Sequence, residues 1–170
     1  RDPGGNPISE AIREVILNKD FTEMGYMTEL LLYASARAQL VKENIKPALD
    51  AGQAVIADRF VDSSAVYQGI GRGLGVDTVY DVNEFALQGI MPDMTFLMDL
   101  DAQEGIARKK NQAELDRMEN EKMEFHQKVV DGYRMLADMH PERIVKIDAT
   151  LPIDEIHGII VGYVEKKLNL

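Results

Sequence analysis

The sequence has no cysteine and no tryptophan, few aromatic residues (6%) and only six prolines. The lack of cysteine excludes disulfides, thiolate metal sites and a cysteine nucleophile at once, and it suits a reducing compartment such as the cytoplasm. Positive charge is scarce as well: 19 Lys and Arg stand against 29 Asp and Glu, a formal net charge of −10. Nucleic-acid backbones are gripped by a basic face, so this balance argues against a nucleic-acid partner. It leaves room for a small anion, which needs only a few arginines that converge locally. No apolar run approaches the ~20 residues that cross a bilayer, so no membrane partner is expected. His126, His140 and His157 have no partner at ligand or triad spacing, and no metal-ligating set is assigned.

Hydrophobic residues make up 45% and charged residues 28% of the 170, the mix and length of one globular domain. Asn6 before Pro7 is a helix start, because Asn caps free amides and proline suits the first helical position. Ile8, Ala11, Ile12, Val15 and Ile16 keep the spacing of an amphipathic helix. A longer helix is expected over 28–50, with Ala34, Ala38, Val41, Ile45 and Leu49 on one face and Pro47 kinking or ending it. Ala54-Val55-Ile56-Ala57, inside 53–60, is a short unbroken apolar run, the form of a strand buried on both faces of a parallel sheet. Further strands are expected at 94–100 and 143–148, and helices at 77–87, 123–139 and 153–168. The stretch 107–121 reads as a polar loop, and Gly69, Gly71, Gly73 and Gly75 as a break in the helix that opens at Asp62. Strands alternating with helices imply an α/β fold with a parallel sheet. Ligands of such sheets bind beyond the carboxyl ends of the strands.

The polar residues at those ends carry the candidate chemistry. Asp58 and Arg59 follow the first apolar run directly. Arginine's planar fork grips phosphate oxygens in pairs, and the aspartate could orient a Mg²⁺ shell or the arginine; a structural ion pair accounts for the dipeptide equally well. Tyr33 and Arg37 lie four apart and share a helix face. A base could be stacked by one and hydrogen-bonded by the other, or the tyrosine could pack beneath a snorkelling arginine. Ser63, Ser64, Tyr67 and Gln68 place hydroxyls, a phenol and an amide on neighbouring helical turns. The amide both donates and accepts, as reading a pyrimidine edge requires, while helix capping accounts for the serines. Arg13 falls on the polar side of the first helix, where a solvated role suffices. Arg108, Lys109, Lys110 and Arg117 stand among acids, either as a lid that folds cations over phosphates or as solvated surface. Asp99 and Asp101 alternate at a strand end, and helix capping explains Asp101.

Order and spacing say more than any one of these signals. Arg1-Asp2-Pro3-Gly4-Gly5, Leu31-Leu32-Tyr33-Ala34-Ser35-Ala36-Arg37 and the block from Asp58-Arg59-Phe60 through Tyr67-Gln68-Gly69 together resemble bacterial thymidylate kinase. Leu115-Asp116-Arg117, Phe125-His126 and Arg143-Ile144-Val145-Lys146-Ile147-Asp148-Ala149 fit the same pattern. The resemblance covers essentially the whole chain and is most specific from Asp58 to Gly69. It implies a P-loop nucleoside-monophosphate-kinase-like parallel sheet flanked by helices, in a single kinase domain over 1–170 with a lid at about 108–121. It implies transfer of the γ-phosphoryl of ATP to dTMP for dTTP synthesis, with Mg²⁺ accompanying ATP, in a cytoplasmic homodimer. By the same resemblance, Arg59 holds the acceptor phosphate, Asp58 the metal shell or that arginine, and Arg13 gives a second phosphate contact. Tyr33 stacks on thymine and Arg37 donates to its ring oxygen, while Ser63 and Gln68 meet its other polar edges. Tyr67 crowds the sugar's 2′ position. Asp2 and Pro3 line sugar and base, with Asp2 standing where the family usually has glutamate. Arg108 and Arg117 fall in the lid, Arg117 among the catalytic cations.

One motif departs from the family pattern. A G-x-x-x-x-G-K-[ST] loop cradles the donor phosphates of P-loop kinases, and no such run occurs in these 170 residues. The family's Asp2-Pro3 segment follows its second strand, so a strand–P-loop–helix–strand unit of ~30 or more residues is expected upstream, and the 170 residues alone are expected to be inactive. In the family's strand order, 2-3-1-4-5, the strands at 94–99 and 143–148 should pair in parallel. Val55, Ile56 and Ala57 should then run without a ladder partner. Two other readings stand beside the leading one: an inactive nucleotide-binding homologue without a P-loop, and a related kinase for another nucleotide.

Overall fold

The structure, a computed structural model, describes residues 1–110 and 115–168. Helix α1 (Pro7–Leu17) begins as the sequence indicates, with the Ser9 amide donating to Asn6 Oδ1 at 2.9 Å. Helix α2 (Tyr26–Leu40) runs on through a π-helical stretch, Val41–Ile45, into α3 (Lys46–Asp50). Pro47 has no amide hydrogen with which to continue an ordinary ladder, and the wider turns just before it absorb the mismatch. The helical path therefore ends at Asp50, beyond the proline.

Helix α4 (Val61–Ser64) also continues as a π-helical stretch, Ala65–Gly71. Gly69 and Gly71 thus lie inside a helical segment, where a break was expected. A Cβ on Gly71 would fall 2.8 Å from the Phe125 ring, so glycine there permits close packing. The path opens instead at Gly73 and Gly75, at φ +78° and +89°, ahead of α5 (Val76–Leu87).

The chain then forms β1 (Thr95–Asp99), α6 (Ala102–Lys110), α7 (Met123–Met139), β2 (Ile144–Asp148) and α8 (Ile153–Leu168). The polar stretch expected as loop from 107 is helical through Lys110, and 111–114 lie outside the described residues. Strands β1 and β2 pair in parallel, from Thr95 opposite Ile144 to Asp99 opposite Asp148, with α6 and α7 in the crossover. The molecule is thus α/β, with a small parallel sheet flanked by helices.

The apolar run at 53–58 differs from the buried strand expected there. It is no buried strand: Ile56 is 98% exposed, and among the described residues the segment joins no ladder. No neighbouring strand among the described residues satisfies its backbone. Its backbone bonds are Gln53 N to Ala48 O at 3.0 Å and Asp2 N to Asp58 O at 2.9 Å. Val55, Ile56 and Ala57 thus have no ladder partner among the described residues, as expected.

One core cluster gathers Leu30, Val66, Val79, Phe125, Val129 and Ile144, from α2, the second π stretch, α5, α7 and β2. A second wedges Leu40, Val41 and Ile45 against Phe60, Val61 and Leu87. These contacts fix the facing surfaces of α2, the Ala65–Gly71 stretch and α7, where the polar residues singled out above converge. Helix α8 buries no residue completely, and touches the sheet through Tyr163, edge-on to Phe96 at 6.1 Å. No helix among the described residues is long and apolar enough to cross a membrane.

Candidate active site

Glu29, Tyr33 and Arg37 recur every fourth residue, forming one stripe along α2. At its far end Arg37 is 1% exposed. It donates from Nε to Asp2 Oδ2 at 2.7 Å, from Nη2 to Ser64 Oγ at 3.0 Å, and from Nη1 to Asn83 Oδ1. Its guanidinium also lies 5.4 Å from the Phe60 ring centroid. Asp2 is buried, and the hydrogen bond its backbone N–H donates to the Asp58 carbonyl ties the first residues to the end of the 53–58 run. Burial pushes the Asp2 carboxyl's pKa up, against the opposing charge of Arg37. Asp2 Oδ1 is buried with no hydrogen-bond partner among the described residues. Arg13, half-buried on α1, turns back to donate to the Pro3 carbonyl at 3.1 Å.

Next along the stripe stand the aromatic residues. Arg59 has φ +64°, an uncommon conformation for a residue with a side chain. Its side chain sets the guanidinium 5.3 Å over the Tyr67 ring. Tyr67 packs edge-on to Phe125 at 6.1 Å and Tyr133 at 6.2 Å. The Tyr133 hydroxyl donates to Ser63 Oγ at 2.7 Å, and burial pushes that phenol up to about 12. Burial also raises the Tyr33 phenol; the Glu29 charge adds to the rise and the Arg59 charge opposes it. Tyr33, Arg59, Tyr67, Tyr133 and Ser63 therefore form one aromatic-walled cluster carrying one cation.

At the near end of the stripe, the wholly buried Glu29 carboxylate receives three donors. Gln68 Nε2 reaches Oε1 at 2.8 Å, Arg72 spans both oxygens at 3.2 and 3.1 Å, and Arg117 Nη2 reaches Oε2 at 2.7 Å. Burial alone would raise the Glu29 carboxyl, but these hydrogen bonds and the Arg72 charge outweigh it and hold it below the usual carboxylate range. Arg117 also donates from Nε to the Ile16 carbonyl at 2.7 Å, which fixes it at the end of α1.

Arg108 is brought elsewhere. It pairs with Glu104 and donates to the Ala149 carbonyl at 3.0 Å, just past β2. A cleft of about 380 Å³ lies at the carboxyl ends of the two strands, lined by Asp99, Asp101, Arg134, Lys146 and Asp148 among others. Arg134 donates to Asp99 at 2.8 Å and to Asp101 at 3.1 Å, so those two acids are ion-paired. The two arginines expected in a lid thus stand at different places, Arg117 in the base of the α2 cluster and Arg108 beside the strand ends.

Glu29, Arg72, Asn83 and Tyr133 were not among the sequence candidates. Glu29 had a signal: an acid four residues before Tyr33 on the same helical stripe. Arg72, Asn83 and Tyr133 had none, because their partners lie far away along the chain.

A parallel α/β fold whose arginines and aromatic rings converge from helix α2 and the turn after residue 58 defines a protein built to hold an anionic, ring-bearing ligand. The family model for thymidylate kinase matches residues 1–160. A thymidylate kinase of Geobacillus thermodenitrificans is 50% identical over 99% of this chain and 76% of its own length. One of Clostridium novyi is 46% identical, covering 97% and 82%, and one of Latilactobacillus sakei 51%, covering 92% and 74%. The chain belongs to the thymidylate kinase family.

Proposed function

We propose that the chain phosphorylates dTMP to the diphosphate with ATP as donor, in dTTP synthesis. Family membership supports the reaction. The observation that carries the site is the guanidinium of Arg59, held at positive φ above Tyr67 and beside Tyr33. An acceptor phosphate placed there meets a cation, while its base lies toward the rings.

In this reading Arg59 grips the acceptor phosphate, Arg13 gives it a second contact, and Tyr33 stacks on the base. Three of the five N–H groups of Arg37 are already used, by Asp2, Ser64 and Asn83, and one on Nη1 remains for a ring oxygen. Gln68 and Ser63 serve the other polar edges, and Tyr67 crowds the 2′ position. The unpartnered Asp2 Oδ1 suits a sugar hydroxyl, which would donate to it, with Pro3 beside it. Phosphoryl transfer depends mostly on positioning and charge stabilisation. Arg59 supplies these at the acceptor, and the lid at about 108–121, with Arg108 and Arg117, at the donor.

Asp58 fits a Mg²⁺ ligand. Its carboxylate has no hydrogen bond or ion pair among the described residues, and Mg²⁺ takes hard oxygens, commonly one or two carboxylates beside phosphates. When bound with ATP, Mg²⁺ would neutralise phosphate charge, and Asp58 would hold or orient it.

The single domain extends, in the same reading, to a larger P-loop-type sheet. The exposed apolar edge at 53–58 supports a further strand against it, of the kind that a phosphate-cradling loop follows. A cytoplasmic homodimer belongs to this reading too, supported by apolar side chains left uncovered on α2 and α5, Leu31 at 50% and Phe85 at 85% exposure.

The test is Arg59→Ala in the full-length protein. Loss of a charge-assisted phosphate contact should lower kcat/KM for dTMP by about 1.5–3 kcal/mol in barrier terms, with the fold intact. Near-normal turnover would reduce Arg59 to a partner of Tyr67.

A further inference from the structure

We propose that Glu29 is the positioning residue that sets which way the Gln68 amide faces, and that it thereby selects a pyrimidine carrying a hydrogen on N3. The inference rests on the reading of Gln68 as a base contact and adds what makes that contact selective. A glutamine amide can present either its NH₂ or its carbonyl, so alone it cannot tell thymine from cytosine. Something must lock it.

An ionised carboxylate only accepts hydrogen bonds. Glu29 is kept ionised by Arg72, Gln68 and Arg117, so only Nε2 of Gln68 can face it, and does so at 2.8 Å. The flipped amide would set oxygen against oxygen inside the protein, since Glu29 is 0% and Gln68 1% exposed. Leaving such buried groups unpaired is costly. Glu29 itself cannot turn away, because Arg72 and Arg117 hold both its oxygens, and Arg72 lies against Phe125 at 4.6 Å.

With Nε2 committed, the carbonyl Oε1 points away from Glu29, and no donor among the described residues reaches it. An acceptor there matches the N3–H of thymine or uracil. Neutral cytosine offers a lone pair at N3 and would oppose acceptor to acceptor. The lock is made of groups assigned no substrate contact apart from Gln68 and the lid residue Arg117. Base choice is thus built into the packing of α2 against the Ala65–Gly71 stretch.

Calorimetric binding of dTMP and dCMP to the full-length protein tests this. In Glu29→Gln the residue at 29 can meet either face of the Gln68 amide. The ratio of the two Kd values should then fall by about tenfold or more, the scale of one misplaced buried hydrogen bond. A folded Glu29→Gln protein that binds both nucleotides more weakly by the same factor overturns the proposal, because a merely structural ion-pair partner would behave that way. Gln68→Met tests the underlying reading separately: an unchanged ratio there means that Gln68 does not read the base, whatever Glu29 does. Should Glu29→Gln not fold, the wild-type protein labelled with ¹⁵N-glutamine decides. The Gln68 side-chain signal, assigned by its absence in Gln68→Met, should stay a single set with and without dTMP. Two interchanging sets, or reorientation on binding, overturn the lock.

Discussion

Asp2 Oδ2 accepts a hydrogen bond from Arg37 Nε at 2.7 Å where neither side chain meets solvent, the exposures being 0% and 1%. The contact joins the second residue to the last turn of α2. Taking one partner from a buried pair leaves the other charge uncompensated, which costs far more than an exposed pair contributes. Asp2→Ala should therefore lower the unfolding free energy by about 3–5 kcal/mol in a urea titration. A loss below about 1 kcal/mol would show that Asn83 and Ser64 suffice to hold the Arg37 charge.

Glu29 and Asp2 respond to acid in opposite senses. The Glu29 pKa is lowered from 4.5 in the fold, so its stabilisation is present above about pH 4.5 and lost as pH falls through the folded value. Asp2 is raised from 3.8, so its burial penalty at neutral pH is relieved on acidification. Urea midpoints of the wild type should fall below about pH 4.5, and Glu29→Gln should be flatter in that window. Parallel acid limbs for the two proteins would place the acid sensitivity elsewhere.

Gly71 faces Phe125 with no room for a methyl group, whereas Gly158 and Gly162 on α8 have nothing within 4 Å of a built Cβ. Gly71→Ala should destabilise by about 1–3 kcal/mol, the range of overpacking a core. Gly158→Ala and Gly162→Ala should each stabilise by up to about 1 kcal/mol, because alanine loses less freedom in a helix. Thermal melts of the three variants check the sign of each change, and a Gly71→Ala protein with an unchanged Tm would show that the α7 contact is loose.

Ile56 is 98% exposed beside the half-exposed Val55. If a further strand lies against this run in the full-length protein, the amides of Val55, Ile56 and Ala57 should exchange with solvent as slowly as those of β1. Exchange within seconds would mean that the edge is open and that the larger sheet does not form there.

Features that depend on neighbours along the chain were legible in the sequence. The stripe of α7, the Asn6 cap, the apolar runs of β1 and β2 and the spacing from Asp58 to Gly69 are local patterns, so α7 could be expected at 123–139, where it is found. Family membership was legible for the same reason, since motif order survives without coordinates. Which partners the charged groups took depended on how the elements pack in three dimensions. Most hydrogens of Arg37, read as a base donor, go to Asp2, Asn83 and Ser64, and Arg117, read as a lid cation, also lies on Glu29 and the Ile16 carbonyl. The fate of 53–58 was open in the same way: an apolar run indicates that a strand wants cover, and only the arrangement of the sheet says whether cover is there. Periodicity records what a residue can do within a few turns, while hydrogen bonds spanning 35 or 88 residues arise from how the elements pack.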